Sequence, residues 1–174
     1  NSAPRLIAPA PSASQLQGIF RAALRAPDHG WLRPWRFITI AEERRTALGE
    51  LLERCLLGRT PDADAAARTK ARNAPLRAPL TVVVVVKVSE HAKVPAVEQR
   101  LSAACAAQAI LLAAEACGFA GMWRTGAAAY DRALMSGLGL AASEEIIGFL
   151  YIGSRDGAAK AIPSLDTADF VSAW

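Results

Sequence analysis

Apolar residues recur every three or four positions in three stretches of the chain, which is the spacing of helices with a buried face. The first stretch follows Ser12 and Ser14, either of which is a suitable N-cap, and predicts a helix that ends near Arg25. The others predict helices over 41–57 and 97–117. Because the last is apolar nearly all round, we expect it to be covered on every side, by the sheet or by another subunit.

Other stretches have the alternation or the β-branched composition of strands. Residues 35–40 alternate between apolar and polar, and 146–153 form a second apolar strand. Residues 80–88 are apolar on both sides, which predicts a strand in the middle of a sheet with both faces covered. A short strand and a tight loop are predicted over 119–126, and the tail, 170–174, also has a strand pattern.

The segments between these elements contain no internal repeat. Residues 58–77 are polar and poor in large apolar side chains, so 62–72 is either a loosely packed helix or a mobile segment. A short helix is predicted over 133–138, and the proline-rich start, 1–11, is expected to be extended. The order of helices and strands predicts one domain over 1–174, a three-layer fold of the α+β or α/β class.

Composition excludes disordered and membrane-spanning proteins. Of the 174 residues, 52% are hydrophobic and 21% are charged, which is too apolar for general disorder. The longest nearly uncharged run, 101–114, is shorter than the ~20 residues of a membrane-spanning helix, so we expect no membrane partner. Arginine supplies 16 of the 20 basic residues, a bias typical of GC-rich bacterial genomes.

Basic side chains are concentrated in the first part of the chain. Residues 1–77 carry 13 basic and 7 acidic side chains, whereas 78–174 carry 7 and 9. This imbalance raises nucleic acid as a possible partner. The cations are scattered among acids, however, and no nucleic-acid motif is present. The pattern therefore favours an anionic small ligand, such as a phosphate-bearing cofactor, and no nucleic acid.

Three cysteines bear on the redox environment. Cys105 and Cys117 lie on one predicted helix with ~18 Å between their backbones, too far apart for a disulfide. Neither these cysteines, Cys55 nor the two histidines have the spacing of a zinc motif, so we expect no metal. We interpret all three cysteines as small buried apolar residues of a protein in a reducing, cytoplasmic compartment.

The segment after the first helix holds residues that bind anions in other proteins. Arg25 offers a bidentate fork for phosphate, and His29 offers a hydrogen bond to a phosphate or carbonyl oxygen. The alternative is that Asp28 and His29 only cap a turn. Residues 33–36 place a proline and an indole between two cations, which is either a ligand surface or an ordinary corner.

A second candidate segment is 121–126, which has glycine at both ends. Glycine allows a ligand to approach the backbone closely, while Trp123 offers a flat surface and Arg124 a cation. The alternative is a strand edge with an exposed aromatic residue. The chain contains no GxSxG, HExxH or phosphate-loop motif. Few acid–base groups and many arginines favour a cofactor that carries the chemistry itself.

Two short motifs stand close together, Arg-Ala-Pro-Asp-His at 25–29 and Pro-Trp-Arg-Phe at 34–37. Together they resemble the helix-end motif of the FMN-dependent nitroreductase family, in particular of its compact members. Further matches follow in the family's order at 70–75, 77–79, 93–95, 98–99, 121–126 and 147–153. The resemblance covers essentially the whole chain, so it is far more specific than any one motif.

This resemblance implies a three-layer α/β/α sandwich of the α+β class, with a central, mostly antiparallel sheet. It implies a homodimer with FMN at the interface, where the long helix lies and where the tail embraces the partner. It also implies ping-pong transfer of hydride from NAD(P)H to nitroaromatics, quinones or similar flat acceptors. No catalytic side chain is expected, because hydride transfer takes place at N5 of the flavin.

Five of the residues that the resemblance assigns to FMN lie in the two candidate segments. Arg25 and His29 resemble residues that reach the FMN of the partner subunit. Trp123, Arg124 and Thr125 resemble a Trp-Arg-Ser stretch beside the flavin. An arginine near the flavin is expected to stabilise the negative charge of its reduced form.

The sixth assigned residue is Ser2, which matches the serine of an Arg-Arg-Ser motif that holds the FMN phosphate. Asn1 stands where that motif has an arginine. We therefore expect a form that begins at Asn1 to bind FMN weakly or not at all, and a form with the upstream residues to bind it more tightly. Equal affinity of both forms would assign the phosphate to Arg5, Arg25 and His29.

Two other classes of function stay open from the sequence. A flavin-binding or scavenging protein with negligible turnover would be yellow but would not oxidise NAD(P)H. A nucleic-acid or regulatory module would show salt-dependent binding and no yellow colour.

Overall fold

A computed structural model describes residues 2–174. Five helices and five strands in this part of the chain are joined by loops, four of which contain a 3-10 turn. In chain order the elements are β1 (Leu6–Ile7), α1 (Ala13–Ala23), β2 (Trp35–Ala41), α2 (Arg44–Arg59), α3 (Ala65–Asn73), β3 (Leu80–Lys87), α4 (Ala96–Ala116), β4 (Ala120–Arg124), α5 (Arg132–Gly137) and β5 (Glu144–Arg155). The 3-10 turns are His29–Trp31, Ala74–Arg77, Ala127–Tyr130 and Thr167–Asp169.

The strands form one antiparallel sheet. β3 lies between β2 and β5, and β5 pairs along its other edge with β4 and with β1. Every residue of β3 from Leu80 to Val86 is buried, which confirms the prediction of a central strand covered on both faces.

Helices cover both faces of the sheet. On one face, α1 and α4 pack against Val82 and Val84 of β3. On the other face, α2 and α5 pack against Val83 and Val85, because successive residues of a strand point to opposite sides. These packed layers are the three-layer α+β architecture that the family resemblance implies, and the antiparallel sheet decides between the α+β and α/β classes that the order of elements leaves open.

The helix boundaries follow local signals. Ser12 begins α1 with a capping box, in which its hydroxyl accepts the N–H of Gln15 at 3.3 Å and the Gln15 side chain accepts the N–H of Ser12 at 2.9 Å. α2 starts later than predicted because β2 continues to Ala41 and the chain then turns at Glu42, whose φ is 50°. α4 begins and ends within one residue of its predicted bounds.

Of the two alternatives for residues 62–72, the structure shows a helix, α3. Glu53 of α2 is buried and accepts hydrogen bonds from Arg68 Nε at 3.0 Å and from Arg72 Nε at 2.6 Å. These two hydrogen bonds lower the pKa of Glu53. α2 and α3 approach so closely at Gly49 that a Cβ there would overlap the carbonyl oxygen of Arg72.

The prediction of a strand over 170–174 is wrong within the described residues. Thr167–Asp169 is a 3-10 turn, and the chain beyond it pairs with no strand of the sheet. Phe170, Val171 and Trp174 are exposed. The alternating pattern therefore has no sheet edge of its own chain to pair with.

α4 is covered on one face only. Leu101 and Leu112 are 59% and 57% exposed, and Cys105 is exposed on the same helix. Cys117, which follows the helix, is also exposed. The prediction that all three cysteines are buried is correct for Cys55 alone, because the apolar circumference of α4 exceeds what one chain covers. No helix in residues 2–174 is both long and apolar enough to span a membrane.

Candidate functional site

A cavity of about 470 Å³ opens between α2, α3 and the sheet. Phe149 and Tyr151 of β5 line it from the sheet, and Leu52 and Leu56 of α2 provide apolar lining. Aromatic and aliphatic surfaces of this kind suit a planar ring system.

The same cavity is lined by four cationic side chains, Arg59, Lys70, Arg77 and Arg124. Arg59 forms an ion pair with Asp131, which lies outside the lining. No carboxylate is found among the described residues that line the cavity. Its positive charge therefore favours a ligand that is anionic as well as flat.

Arg77 and Tyr151 form the closest cation–aromatic arrangement of this cavity. The guanidinium carbon of Arg77 lies 5.8 Å from the centroid of the Tyr151 ring. Burial raises the pKa of Tyr151, against the opposing effect of the charges on Arg77 and Arg124. Tyr151 therefore remains a neutral hydroxyl at neutral pH.

The end of β4 shapes the rim of the cavity. Arg124 donates from Nε to the sulfur of Met122 at 2.9 Å, so the two side chains share one face of β4. Gly126 has a φ of 74°, in the left-handed region that favours glycine. This turn leaves Arg124 and Thr125 exposed beside the cavity.

A second cavity, of about 590 Å³, lies between α1 and β2 and is lined by Arg25, Trp31 and Arg33, among others. The carboxylate of Asp28 accepts the N–H of Arg33 at 2.8 Å and closes the loop. Trp31 and Arg33 have φ values of 56° and 48°, a strained conformation for residues with side chains. The Trp31 residue is nevertheless 81% exposed, so the loop presents an indole and two guanidinium groups to solvent.

His29 is bound to α4 instead of capping the turn. Its Nδ1 lies 2.6 Å from Oε2 of Glu98, which is in the first turn of α4. Both side chains are partly exposed, His29 at 56% and Glu98 at 42%. The alternative that Asp28 and His29 cap the turn is not supported for either side chain, because the Asp28 carboxylate accepts the N–H of Arg33 and makes no capping hydrogen bond.

The structure separates the predicted FMN contacts into two groups. Arg124 and Thr125 line the first cavity, whereas Arg25 lines the second. His29 lies in the loop whose residues Asp28, Trp31 and Arg33 line that second cavity. Within one chain these residues do not form a common site. That they act on FMN from different subunits stays a prediction.

Trp123 lies on the face of β4 opposite to Arg124. Its indole packs over Gly148 of β5, in the apolar layer that contains α1 and α4. Successive residues of a strand alternate in direction, so Trp123 and Arg124 cannot both direct their side chains to the first cavity. A contact of Trp123 with a ligand there would have to come from its backbone.

Ser2 lies beside β4, at the opposite end of that strand from Arg124. The N–H of Ala3 donates to the carbonyl of Gly121 at 3.1 Å, and Ala3 is buried in the same apolar cluster as Tyr151. Ser2 itself is exposed. Asn1, where the family's motif has an arginine, lies outside the described residues.

Several residues that line the first cavity carry no signal in the sequence that marks them individually as ligand contacts. Lys70 and Arg77 lie in the segments 70–75 and 77–79, which contribute to the family resemblance. Those segments are the sequence signal that points to these two residues. Phe149 and Tyr151 belong to an apolar strand whose sequence does not show which face carries the cavity. Within residues 2–174, no three of the histidine, cysteine, aspartate and glutamate side chains come together as a possible metal site.

Residues 8–154 match the model of the nitroreductase family, and the chain belongs to that family. Over 168 residues it is 44% identical to YdjA of Escherichia coli (strain K12), provisionally named an NAD(P)H nitroreductase. That alignment covers 97% of this chain and 90% of YdjA. A Haemophilus influenzae protein with a similar provisional name is 39% identical over 170 residues, covering 97% of this chain and 91% of that protein.

Solved structures confirm the fold. A nitroreductase-like protein from Bacillus cereus superposes with a TM-score of 0.83 at 20% identity, covering 99% of this chain and 90% of that one. A nitroreductase from Bacteroides fragilis with bound FMN gives a TM-score of 0.74 at 21% identity, covering 99% and 93%. The α+β sandwich and the family that the motifs imply are therefore both confirmed.

Proposed function

We propose that this chain is an FMN-dependent oxidoreductase that transfers hydride from NAD(P)H to nitroaromatics, quinones or similar flat acceptors. The observation that carries the proposal is the first cavity, which combines an aromatic lining, four cations and no carboxylate among its described lining residues. Membership of the nitroreductase family and the FMN named for the Bacteroides fragilis neighbour support the same cofactor. Because NAD(P)H is supplied inside the cell, we place the reaction in the cytoplasm.

The residues of the first cavity fit FMN in both shape and charge. Phe149 and Tyr151 offer apolar surface to a flat ring system, and Lys70, Arg77 and Arg124 offer cations to its anionic groups. Such contacts between cations and an anion contribute roughly 1.5–3 kcal/mol each. The neutral Tyr151 hydroxyl adds no negative charge that would oppose binding.

Bound FMN would supply the acceptance and donation of hydride, and the protein would supply position and charge. Arg124, on the rim, would stabilise negative charge that accumulates on the bound ring. The apolar wall of α2 would exclude water from one side of the site. None of these residues has to transfer a proton, in agreement with the prediction that no side chain is catalytic.

We also propose that the working unit is a homodimer. Arg25 and His29 lie away from the first cavity of their own chain, so a second copy is needed to bring them to it. The exposed Leu101 and Leu112 of α4 provide an apolar surface for that copy. The exposed tail, with Phe170 and Trp174, would embrace the second subunit.

The proposal is tested on the purified chain by its visible spectrum, by FMN titration and by steady-state assays. FMN is titrated to saturating concentration into the form that begins at Asn1 and into the longer form with the upstream residues. We expect NADPH or NADH to be oxidised by the FMN-loaded protein when a nitroaromatic or a quinone is added. Binding of FMN without turnover would identify a flavin-binding or scavenging protein. Absence of FMN binding in both forms would contradict the proposed function altogether.

A further inference from the structure

We propose that Glu98 is a positioning residue that orients His29 toward the FMN of the second subunit. The inference rests on the proposed function, in which His29 of one chain reaches the FMN site of the other. It starts from the 2.6 Å contact between His29 Nδ1 and Glu98 Oε2, which joins residues 69 positions apart.

The chemistry of the contact selects one arrangement of the imidazole ring. An ionised carboxylate only accepts hydrogen bonds. Nδ1 of His29 therefore carries a proton and donates a hydrogen bond to Glu98. This leaves Nε2, on the far side of the ring, for another partner. The exposure of His29 keeps Nε2 accessible to a second chain. Without Glu98, the ring could rotate or place its proton on the other nitrogen.

Glu98 is held on a rigid part of the molecule. Its neighbour Gln99 is almost fully buried and accepts the N–H of Ser89 at 2.9 Å. The Gln99 amide also donates to the carbonyls of Ser89 and Val94, at 2.8 and 3.2 Å. The first turn of α4 is thereby fixed to the loop before it. A carboxylate on this support can hold a side chain of the more exposed 28–33 loop in one orientation.

The alternative is that the pair only tethers the loop to α4. The loop is also held in other ways, because Asp28 accepts the N–H of Arg33 within it and Gly30 lies so close to Val94 that a Cβ at position 30 would meet its side chain at 3.2 Å. Ion pairs with this much exposure contribute little to stability, because solvent screens them. A tether needs only a side chain at position 29 that can donate to Glu98, whereas the positioning role needs the imidazole of His29 itself.

A double-mutant cycle shows whether Glu98 acts through His29, and His29→Asn separates the two roles. The asparagine amide can still donate to Glu98, so a tether predicts wild-type FMN affinity for His29→Asn, whereas the positioning role predicts the same loss as in His29→Ala. Wild-type affinity of His29→Asn would overturn the inference. We expect Glu98→Ala and His29→Ala each to weaken FMN binding about three- to tenfold, and the double variant to bind no more weakly than His29→Ala. Glu98→Gln is expected to retain most of the affinity, because its amide oxygen can still accept from Nδ1. Glu90→Ala, which removes an exposed carboxylate from the loop before α4, serves as the matched control and is expected to bind FMN like the wild type.

A second readout uses the FMN-free protein. Imidazole ¹⁵N chemical shifts are expected to show the proton of neutral His29 on Nδ1 in the wild type and in Glu98→Gln, and a shift toward the Nε2 form in Glu98→Ala. Wild-type shifts that place the proton on Nε2 would overturn the inference. Unchanged FMN affinity in Glu98→Ala, or additive losses in the double variant, would also overturn it and would leave the proposed function intact. Absence of FMN binding in the wild type, both in the form that begins at Asn1 and in the longer form, would overturn both.

Discussion

The guanidinium group of Arg36 on β2 reaches past the central strand β3 to hold both carboxylate oxygens of Glu144 at the start of β5. The two nitrogen–oxygen distances are 2.5 and 2.8 Å, and the N–H of Ala141 donates to the same carboxylate at 2.9 Å. These contacts join β2 to β5 across β3, on the face that also carries the first cavity.

The ion pair between Arg36 and Glu144 predicts how the free energy of unfolding depends on pH. The Arg36 hydrogen bonds lower the pKa of Glu144 from 4.5 to about 2. Because the folded pKa is below the unfolded one, the stabilisation is fully present above pH 4.5 and is lost as the pH falls toward 2. We expect Glu144→Gln to cost about 1–3 kcal/mol at pH 7 and to flatten this acid loss.

Urea unfolding at several pH values and one protein concentration tests this prediction. Glu50→Gln, which changes an exposed carboxylate on α2, controls for the change of net charge. An acid profile of Glu144→Gln that parallels the wild type would show that another group causes the loss.

The contact between α2 and α3 predicts opposite effects for two glycines of α2. Gly49→Ala would press a methyl group against the carbonyl of Arg72, and we expect it to cost about 1–3 kcal/mol. Nothing lies within 4 Å of the position that a Cβ would take at Gly58. Gly58→Ala is therefore expected to stabilise the helix by about 0.5–1 kcal/mol. Chemical denaturation of both variants checks the prediction, and equal effects at the two positions would contradict the α2–α3 packing.

The charges of the proposed site predict which arginines matter. We expect Arg124→Ala and Arg25→Ala each to weaken FMN binding about tenfold, the loss of roughly one charge-assisted contact. Arg21→Ala and Arg44→Ala, which change exposed arginines at the surface of α1 and α2, are the matched controls and should bind normally. Flavin fluorescence titration measures all four. If Arg124→Ala binds as its control does, Arg124 does not belong to the site.

The exposed side of α4 predicts a dimer that a single charge can disrupt. Leu101→Glu would place a carboxylate in an apolar interface, and we expect it to shift the chain to a monomer at micromolar concentration. Leu76→Glu, at an exposed leucine in the 3-10 turn after α3, is expected to remain dimeric. Sedimentation velocity distinguishes the two states. A wild-type chain that is a stable monomer would contradict the proposed assembly.

Much of the fold could be predicted because its signals are local. The run from Leu80 to Val86 is typical of a central strand in a sheet, and Ser12, one of two candidate caps, marks a helix start through neighbouring residues alone. Whether residues 62–72 form a helix cannot be decided from the local sequence, because α3 is stabilised by a residue of another element. That residue is the buried Glu53 of α2, which accepts hydrogen bonds from two arginines of α3. The tail pattern at 170–174 was misleading because alternation predicts a strand only where a free edge is available.

The candidate site was predictable in part, for a related reason. Arg124 and Thr125 stand in a recognisable motif, and they line the first cavity. Tyr151 of β5 and Lys70 of α3 line the same cavity. Because they are far apart in the chain, their spacing in the sequence does not indicate that they lie close together. Trp123 shows the opposite case, since the motif contains it while the alternation of β4 turns its indole away.

We propose that one FMN site is built from Arg124 of one chain and Arg25 of another. Subunit mixing tests this arrangement most directly. Arg25→Ala and Arg124→Ala chains are each purified, then mixed and allowed to exchange subunits. A mixed dimer carries one site with both arginines intact and one site with neither. Random exchange makes about half of the dimers mixed, so we expect about a quarter of all sites in the mixture to bind FMN with wild-type affinity. If the mixture exchanges subunits and still binds FMN no better than either variant alone, the two arginines do not form one site across the subunits.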